Sequence, residues 1–292
     1  MGIGKCEGMI QDISPKHLAC EYHEYRETLN DTVICISEGK ILTGIDENGE
    51  VVLPKAGNLM GVSKEANMEI LKLKFPVHYL FSIDEEHYVL WALEEKIEFD
   101  GFDYRKLSEI RSYEPKHRVL ASATAWHLYN WYADNRFCGR CGKTLEHDHK
   151  LRMLRCECGN QVFPRISPAV IVGVIRGDEI LVTKYAGREY KKYALIAGFT
   201  EIGETAEETV AREVMEEVGL KVKNIRYYKS QPWGFTGTLL LGYFCEVEGD
   251  SAIVMDEEEL SMAKWIKRDE LEEYTEGVSL TGEMMNVFRG NK

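Results

Sequence analysis

The 23 residues from Gly198 to Leu220, GFTEIGETAEETVAREVMEEVGL, constrain this chain more than any other stretch. Thr205 followed by Glu208 forms a capping box, so the spacing predicts a helix that starts near Thr205. Gly219 suits the left-handed position just past a helix end. The segment between them is rich in Ala, Glu and Val and has no Pro. Glu213, Glu216 and Glu217 stand at i, i+3 and i+4, which puts three carboxylates on one face. Val210, Val214 and Val218 make a neighbouring stripe able to pin the helix to a core. Carboxylates this close repel one another, and the only basic residue inside the helix is Arg212. A solvated acidic face is the ordinary reading of an isolated EVMEE. Within this glycine and arginine frame a hard divalent cation bound by oxygen, Mg2+ or Mn2+, accounts for the cluster better.

The rest of the chain sets limits. Its 292 residues are long enough for two domains and a sizeable core. It carries 36 basic and 49 acidic residues, a formal net charge of −13. Such a surface repels nucleic acid at long range, which argues against generic DNA binding. The opening MGIGKCEGMIQDIS has no apolar stretch of signal-peptide length, and Cys6 stands where a myristoylation pattern needs Ser or Thr. No apolar run approaches a membrane span, so no membrane partner and a cytoplasmic location are expected.

Eight cysteines are unevenly placed. Cys6, Cys20, Cys35 and Cys245 are scattered and read as small buried hydrophobes. Cys138, Cys141, Cys156 and Cys158 cluster in a stretch with a glycine after each knuckle, a pattern for one structural, tetrahedral Zn2+. The first knuckle is C-x2-C and the second only C-x-C, so His147 or His149 replacing one thiolate stays open. His117 and His127 lack acidic or cysteine neighbours at ligand spacing and read as structural or surface residues.

Residues 1–112 read as a small α+β domain. Its expected strands are 32–37, 40–45 and 50–54, with an Asn48-Gly49 turn and a hairpin of 78–83 with 88–93. An amphipathic linker helix is expected within 113–136, with Trp126, Tyr129, Asn130 and Ala133 on one face. The cysteine segment occupies 137–165. From 166 to 292 the pattern is mixed α/β, with strands at 168–175, 179–185, 192–198, 221–231, 238–247 and 262–266 and a terminal helix at 279–288.

Gly198, Glu204, Arg212, Glu213, Val214, Glu216, Glu217, Gly219 and Leu220 together fit the Nudix signature at every fixed position, and the chain resembles the Nudix hydrolases. Three further features narrow the resemblance to the NADH pyrophosphatase (NudC-type) family: the N-terminal domain, the cysteine ribbon, and Ser230-Gln231-Pro232-Trp233 shortly after the helix. The fold class implied is α+β, with a Nudix-like N-terminal domain, a zinc ribbon and a C-terminal α/β/α sandwich on a mixed sheet. The resemblance also implies roles. Glu213 and Glu217 would hold catalytic Mg2+ or Mn2+ ions, two or more, joined by Glu216, Glu259 and the Ala197 carbonyl, and Glu217 would be the general base. Arg212 would orient a glutamate by a salt bridge. Phe163 and Phe199 would stack on the substrate's rings, although unaided they read equally as core aromatics. Gln231, Pro232, Trp233, Gly234, Phe235, Thr236, Gly237 and Thr238 would line the dinucleotide pocket, with Thr281 and Arg111 as further substrate contacts. Where the family run continues Pro-Phe-Pro-x-Ser this chain has Gly234-Phe235-Thr236-Gly237-Thr238, and the loss of two prolines predicts a looser loop.

The implied reaction splits the pyrophosphate of NADH or NAD+ into NMN(H) and AMP, with NAD-cap removal from RNA 5′ ends as an extension, in a homodimer. Two alternatives stay open: a Nudix enzyme for ADP-ribose or another dinucleoside diphosphate, and a nucleotide-sensing regulator without turnover.

Overall fold

The computed structural model describes residues 8–62, 72–187, 192–275 and 278–290; Cys6 lies outside them. The chain forms two compact units. One comprises residues 10–165 with 234–236, the other residues 166–233 and 237–292 with Met9.

The first unit is built on a seven-stranded sheet. Its strands are β1 (Leu18–Ala19), β2 (Thr32–Ser37), β3 (Lys40–Ile45), β4 (Val51–Val52), β5 (His78–Ile83), β6 (Glu86–Ala92) and β7 (Phe102–Arg105). They run in the order β1-β5-β6-β2-β3-β4, with β7 beside β3. Among the described strands of this unit only β2 and β6 pair in parallel. The β3–β4 turn closes on Asp46, whose carboxylate accepts from the N–H groups of Asn48 and Glu50, while Gly49 takes φ 81°. Helices α1 (Ala56–Val62), α2 (Leu107–Ile110) and α3 (Lys116–Asp134) complete the layer. The hairpin and helix expectations hold, but the amphipathic reading of α3 does not. Leu120, Ala121, Ser122 and Ala123 are four consecutive buried residues, which no single helix face spans, and Tyr129, Trp131 and Tyr132 are buried as well. The helix runs through the unit's core. A small sheet of β8 (Glu146–His147), β9 (Leu154–Arg155) and β10 (Gln161–Val162) carries the clustered cysteines.

The second unit has a mixed six-stranded sheet between two helices. Its strands are β11 (Ser167–Arg176), β12 (Glu179–Tyr185), β13 (Ile196–Phe199), β14 (Val222–Trp233), β15 (Thr238–Val247) and β16 (Leu260–Lys267), and its helices are α4 (Ala206–Val218) and α5 (Leu280–Arg289). The order is β14-β15-β11-β12-β16, with β13 on β11 and a parallel β11–β15 pair. The alternation of β11 explains the layers. Val170, Val172 and Val174 pack with Val210, Val214 and Val218 of α4, while Ile171 joins Leu280, Met284 and Phe288 of α5 on the opposite face. Each of the three α4 valines is fully buried, a stabilisation of about 1.5–3 kcal/mol apiece over exposure. The caps of α4 are those the sequence called for. Thr205 and Glu208 exchange capping-box bonds, and Gly219 closes the helix at φ 69°.

Of the scattered cysteines, Cys35 and Cys245 are buried as expected, whereas Cys20 is exposed, because it lies past the end of the two-residue edge strand β1.

One ionic cluster locks β2 to β6. Lys55 donates to the Thr32 hydroxyl at 2.6 Å and to the Glu86 carboxylate at 2.7 Å, and the Tyr88 hydroxyl donates to the other Glu86 oxygen at 2.8 Å. Burial alone would raise the Glu86 pKa, but the bonds from Lys55, Thr32 and Tyr88 overcome it and hold the carboxyl at about 2. Folding thus lowers this pKa from 4.5. The associated stabilisation is full above about pH 5 and disappears as pH falls through the folded value. Lys55→Met is expected to destabilise by about 1–3 kcal/mol at pH 7. In acid titrations followed by circular dichroism, its melting temperature should fall less steeply below pH 5 than that of the wild type.

Candidate active site and thiolate cluster

Helix α4 positions the acidic residues. Glu213 and Glu217, one turn apart, point inward and are buried, at 9% and 2% exposure, while Glu216 faces solvent. Burying carboxylates on a helix needs compensation, and Arg212 supplies much of it. Its Nε and Nη2 clamp both oxygens of Glu204 at 2.6 and 2.9 Å. Its Nη1 donates to Glu213 at 2.7 Å and to Glu216 at 2.9 Å, and Nη2 also reaches the Phe199 carbonyl at 2.9 Å. One guanidinium thereby ties the loop after β13 to the helix, which suits the forked donor geometry of arginine. The Arg212 bonds, with further donation from the Glu201 N–H and the Thr209 hydroxyl, bring the Glu204 pKa down to about 2. Burial pushes the Glu213 carboxyl above its usual range. Arg212 pulls against this, and the neighbouring charges of Glu216 and Glu259 add to the rise.

Gly198 explains how Glu213 fits. A Cβ built there would lie 1.9 Å from the Glu213 carboxyl carbon and 2.1 Å from each oxygen. The carboxylate therefore rests directly on the β13 backbone, next to the Ala197 carbonyl, and only glycine permits that approach. The Ala197 carbonyl accepts from the Tyr185 hydroxyl at 3.4 Å, a contact that no sequence spacing marks. Glu259 lies in the turn just before β16, and its carbonyl accepts from Ala186 N–H at 2.8 Å. Carboxylates and a main-chain carbonyl are hard oxygen donors, the chemistry that suits a divalent cation. In the arrangement seen here two of those carboxylates share the Arg212 guanidinium.

Phe163 in the first unit and Phe199 in the second are 53% and 57% exposed. Neither is a core aromatic, so both rings are available for stacking. The SQPW residues lie within edge strand β14 instead of in a loop, and Pro232 sits where an edge strand tolerates it. Gln231 departs from the expected pocket-lining role. It is fully buried, its amide donates to the Val278 carbonyl at 3.0 Å, and its carbonyl accepts from Leu280 N–H at 2.8 Å. It fixes the start of α5, whose first turn carries Thr281. Thr238 is also buried, while Pro232 and Thr236 are exposed and Trp233 is half-buried. The expected loose loop is a tight hairpin turn over residues 234–237, with Trp233 paired to Thr238. Gly234 is buried with its Cα against the Ala123 carbonyl, since a Cβ there would come within 2.2 Å of that oxygen. Gly237 supplies the left-handed residue at φ 70°. Phe235 packs against the core of the first unit, and Arg111 follows α2 in that unit.

In the ribbon, the sulfurs of Cys138, Cys141, Cys156 and Cys158 all lie within 4.8 Å of one another. Cys138 and Cys158 are 3.7 Å apart, and Cys141 and Cys156 3.4 Å. These separations match the edge of about 3.8 Å that follows from Zn–S bonds of about 2.3 Å in a tetrahedron. Among the described residues this is the one group of three or more ligand atoms drawn so close; the α4 glutamates are not. The mixed Cys/His alternative fails on geometry. His147 is engaged by the Tyr132 hydroxyl at 2.9 Å, the Tyr22 hydroxyl at 3.2 Å and the Asp148 carbonyl at 2.7 Å, and the exposed His149 lies beside Glu24.

The NUDIX domain family matches residues 165–286. A protein named NAD-capped RNA hydrolase NudC from Haemophilus influenzae is 34% identical over 233 residues, covering 77% of this chain and 86% of its own length. Proteins of the same name from Pseudomonas aeruginosa and Salmonella typhi are 38% and 41% identical over 189 and 146 residues, covering 64% and 49% of this chain and 67% and 56% of theirs.

Two substitutions test the geometry. Gly198→Ala displaces the Glu213 carboxylate and is expected to lower the rate of pyrophosphate hydrolysis by about a hundredfold, in keeping with the cost of a 1 Å misplacement. Arg212→Lys puts one ammonium where a fork held three carboxylates and a carbonyl, and should cost roughly 10–100-fold in activity or divalent-ion affinity. Steady-state kinetics over a Mn2+ titration measure both.

Proposed function

The chain belongs to the NudC family of Nudix hydrolases, and on that premise we propose that it hydrolyses the pyrophosphate bond of NADH or NAD+ to NMN(H) and AMP and removes NAD caps from RNA 5′ ends. The observation that carries the hydrolytic reading is the buried pair Glu213 and Glu217, with Glu213 seated on Gly198 and bonded to Arg212. The family's named relatives support the choice of NAD-linked substrates.

Glu213, Glu216, Glu217, Glu259 and the Ala197 carbonyl would hold two or more Mg2+ or Mn2+ ions. Such ions neutralise charge on the phosphoryl oxygens and acidify a bound water. Glu217 accepts the proton of the attacking water, whose oxygen bonds to phosphorus as the bridging P–O bond breaks and the nucleotide leaves. Arg212 aims Glu213 and Glu216 through its bonds to both carboxylates. In the second unit Phe199 presents an exposed ring for stacking on the dinucleotide, and Pro232 and Trp233 are its further contacts. Buried Gln231 acts through α5, placing Thr281. The four cysteines would hold one Zn2+ in a structural role, since four protein ligands leave no open position for chemistry. The family resemblance extends the reading to a homodimer in the cytoplasm.

The decisive assay incubates purified protein and Mg2+ or Mn2+ with NADH, NAD+, ADP-ribose and NAD-capped RNA, and reads products by mass. AMP and NMN(H) from NADH support the proposal. Turnover of ADP-ribose alone would move the enzyme to another Nudix class, and no turnover with any substrate would favour a nucleotide sensor. Glu217→Gln is expected to lower kcat at least about a hundredfold. Near wild-type turnover would remove Glu217 from the base role. Elemental analysis should find about one zinc per chain, and Cys138→Ser should lose it and lower the melting temperature.

A further inference from the structure

The run Asp256-Glu257-Glu258-Glu259 contains one residue with a role in hydrolysis, Glu259, and three without one. Glu257 and Glu258 are exposed, whereas Asp256 is half-buried. Asp256 differs from its neighbours in its bonds as well. Its N–H donates to the Glu217 carbonyl at 2.9 Å, and its own carbonyl accepts from Leu260 N–H at 2.9 Å. Its carboxylate accepts from Glu258 N–H at 2.8 Å. Three bonds from one residue close the turn that carries Glu259 and fasten it to the last turn of α4.

The attachment follows from helix chemistry. The last carbonyls of an α-helix have no partner within it. For α4 the segment 254–256 supplies partners from outside. Val254 N–H donates to the Val218 carbonyl at 3.0 Å, beside the bond from Asp256 N–H to Glu217. Gly219 leaves room for the crossing, since a Cβ there would lie 2.9 Å from the Val254 Cβ. Past the turn, Leu260 is buried among the α4-side residues. The register against β12 then shifts, with Tyr185 opposite Leu260 and Lys184 opposite Met262. Ser261 is the extra residue of this β-bulge, and its hydroxyl donates to the Lys184 carbonyl at 3.1 Å. Ala186 N–H holds the Glu259 carbonyl from the end of the same strand. The backbone of Glu259 is thus fixed between α4 and β12.

This strap reaches the hydrolytic carboxylates. Glu217, whose side chain has the proposed base role, holds the turn through its main chain. Burial raises the Glu213 carboxyl pKa and the Glu259 charge adds to the rise, so the turn delivers the Glu259 carboxylate to the acidic face of α4. Of the bonds that close the turn, the one to Glu258 N–H uses the Asp256 side chain, and substitution can remove it. We propose that Asp256 is a positioning residue for the reaction: its carboxylate closes the turn that sets Glu259 against α4, and it is not itself a ligand of the divalent ions. The proposal rests on the hydrolytic reading of the glutamates and divides the acidic run by role.

The test compares full-length Asp256→Ala, Asp256→Asn and Glu259→Gln proteins with the wild type. Asparagine keeps a side-chain oxygen for the Glu258 N–H and removes the charge. Mn2+ binding is read without substrate, by electron paramagnetic resonance of the free ion, and NADH turnover is followed across a Mn2+ titration. Asp256→Ala is expected to weaken Mn2+ binding about tenfold, the low end of the cost of removing a group that orients a ligand. Its turnover should recover as Mn2+ is raised. Glu259→Gln should lose at least as much affinity, and Asp256→Asn should bind like the wild type. Wild-type Mn2+ affinity in Asp256→Ala would overturn the proposal. So would an Asp256→Asn protein as weak as Asp256→Ala, because the charge itself would then be needed and the carboxylate would be a ligand. If Asp256→Ala does not fold, the other two variants still decide: the proposal needs Asp256→Asn to bind as the wild type does and Glu259→Gln to lose affinity. The binding arm uses no substrate, so turnover of ADP-ribose in place of NADH would count against the substrate and not against Asp256. Wild-type protein that binds no Mn2+ would overturn the hydrolytic reading and this proposal together.

Discussion

The Glu213 carboxylate lying against the backbone at Gly198 is the contact on which the rest of the catalytic unit depends. A buried anion on a helix is costly, and the fold meets that cost from several directions. Valines 210, 214 and 218 fix the helix height over the sheet. The capping box and Gly219 set its ends. Arg212 ties Glu213, Glu216 and Glu204 to the Phe199 carbonyl. Change any one and the acidic face shifts relative to the Ala197 carbonyl, so metal binding, water activation and substrate placement would fail together.

The same economy shows in β14 and β15. The SQPW strand is not itself a loop of contacts. Its buried glutamine carries the start of α5, and its hairpin turn uses two glycines, one for a close backbone approach and one for a left-handed residue. Pro232 and Trp233 stand on an edge strand and Thr281 in the first turn of a helix, so the side chains proposed to meet substrate are carried by rigid elements. In the first unit, four thiolates take the place of a larger core in a segment whose three strands have two residues each.

Much of this was legible in the sequence because it is local. A capping box, a valine stripe and an i, i+3, i+4 set of glutamates are fixed by helix geometry, and the apolar run of β11 reads as a strand. What sequence could not show is long-range. Gly198 carries no sign that residue 213 will rest on it. Nothing marks Tyr185 as the partner of the Ala197 carbonyl. Gln231 looked like a pocket residue because its motif is read as a unit, yet its neighbours across the fold consume its amide. Helix α3 looked one-sided because Ala and Ser carry little hydropathy, although both are buried there. The C-x-C knuckle left a histidine ligand open until His147 was found between two tyrosines.

The most direct test of the central claim is anomalous diffraction from crystals soaked in Mn2+, with the zinc signal at the four cysteines as an internal standard. The account predicts manganese peaks bounded by Glu213, Glu217 and the Ala197 carbonyl. A clear zinc peak with no manganese beside those glutamates would contradict it.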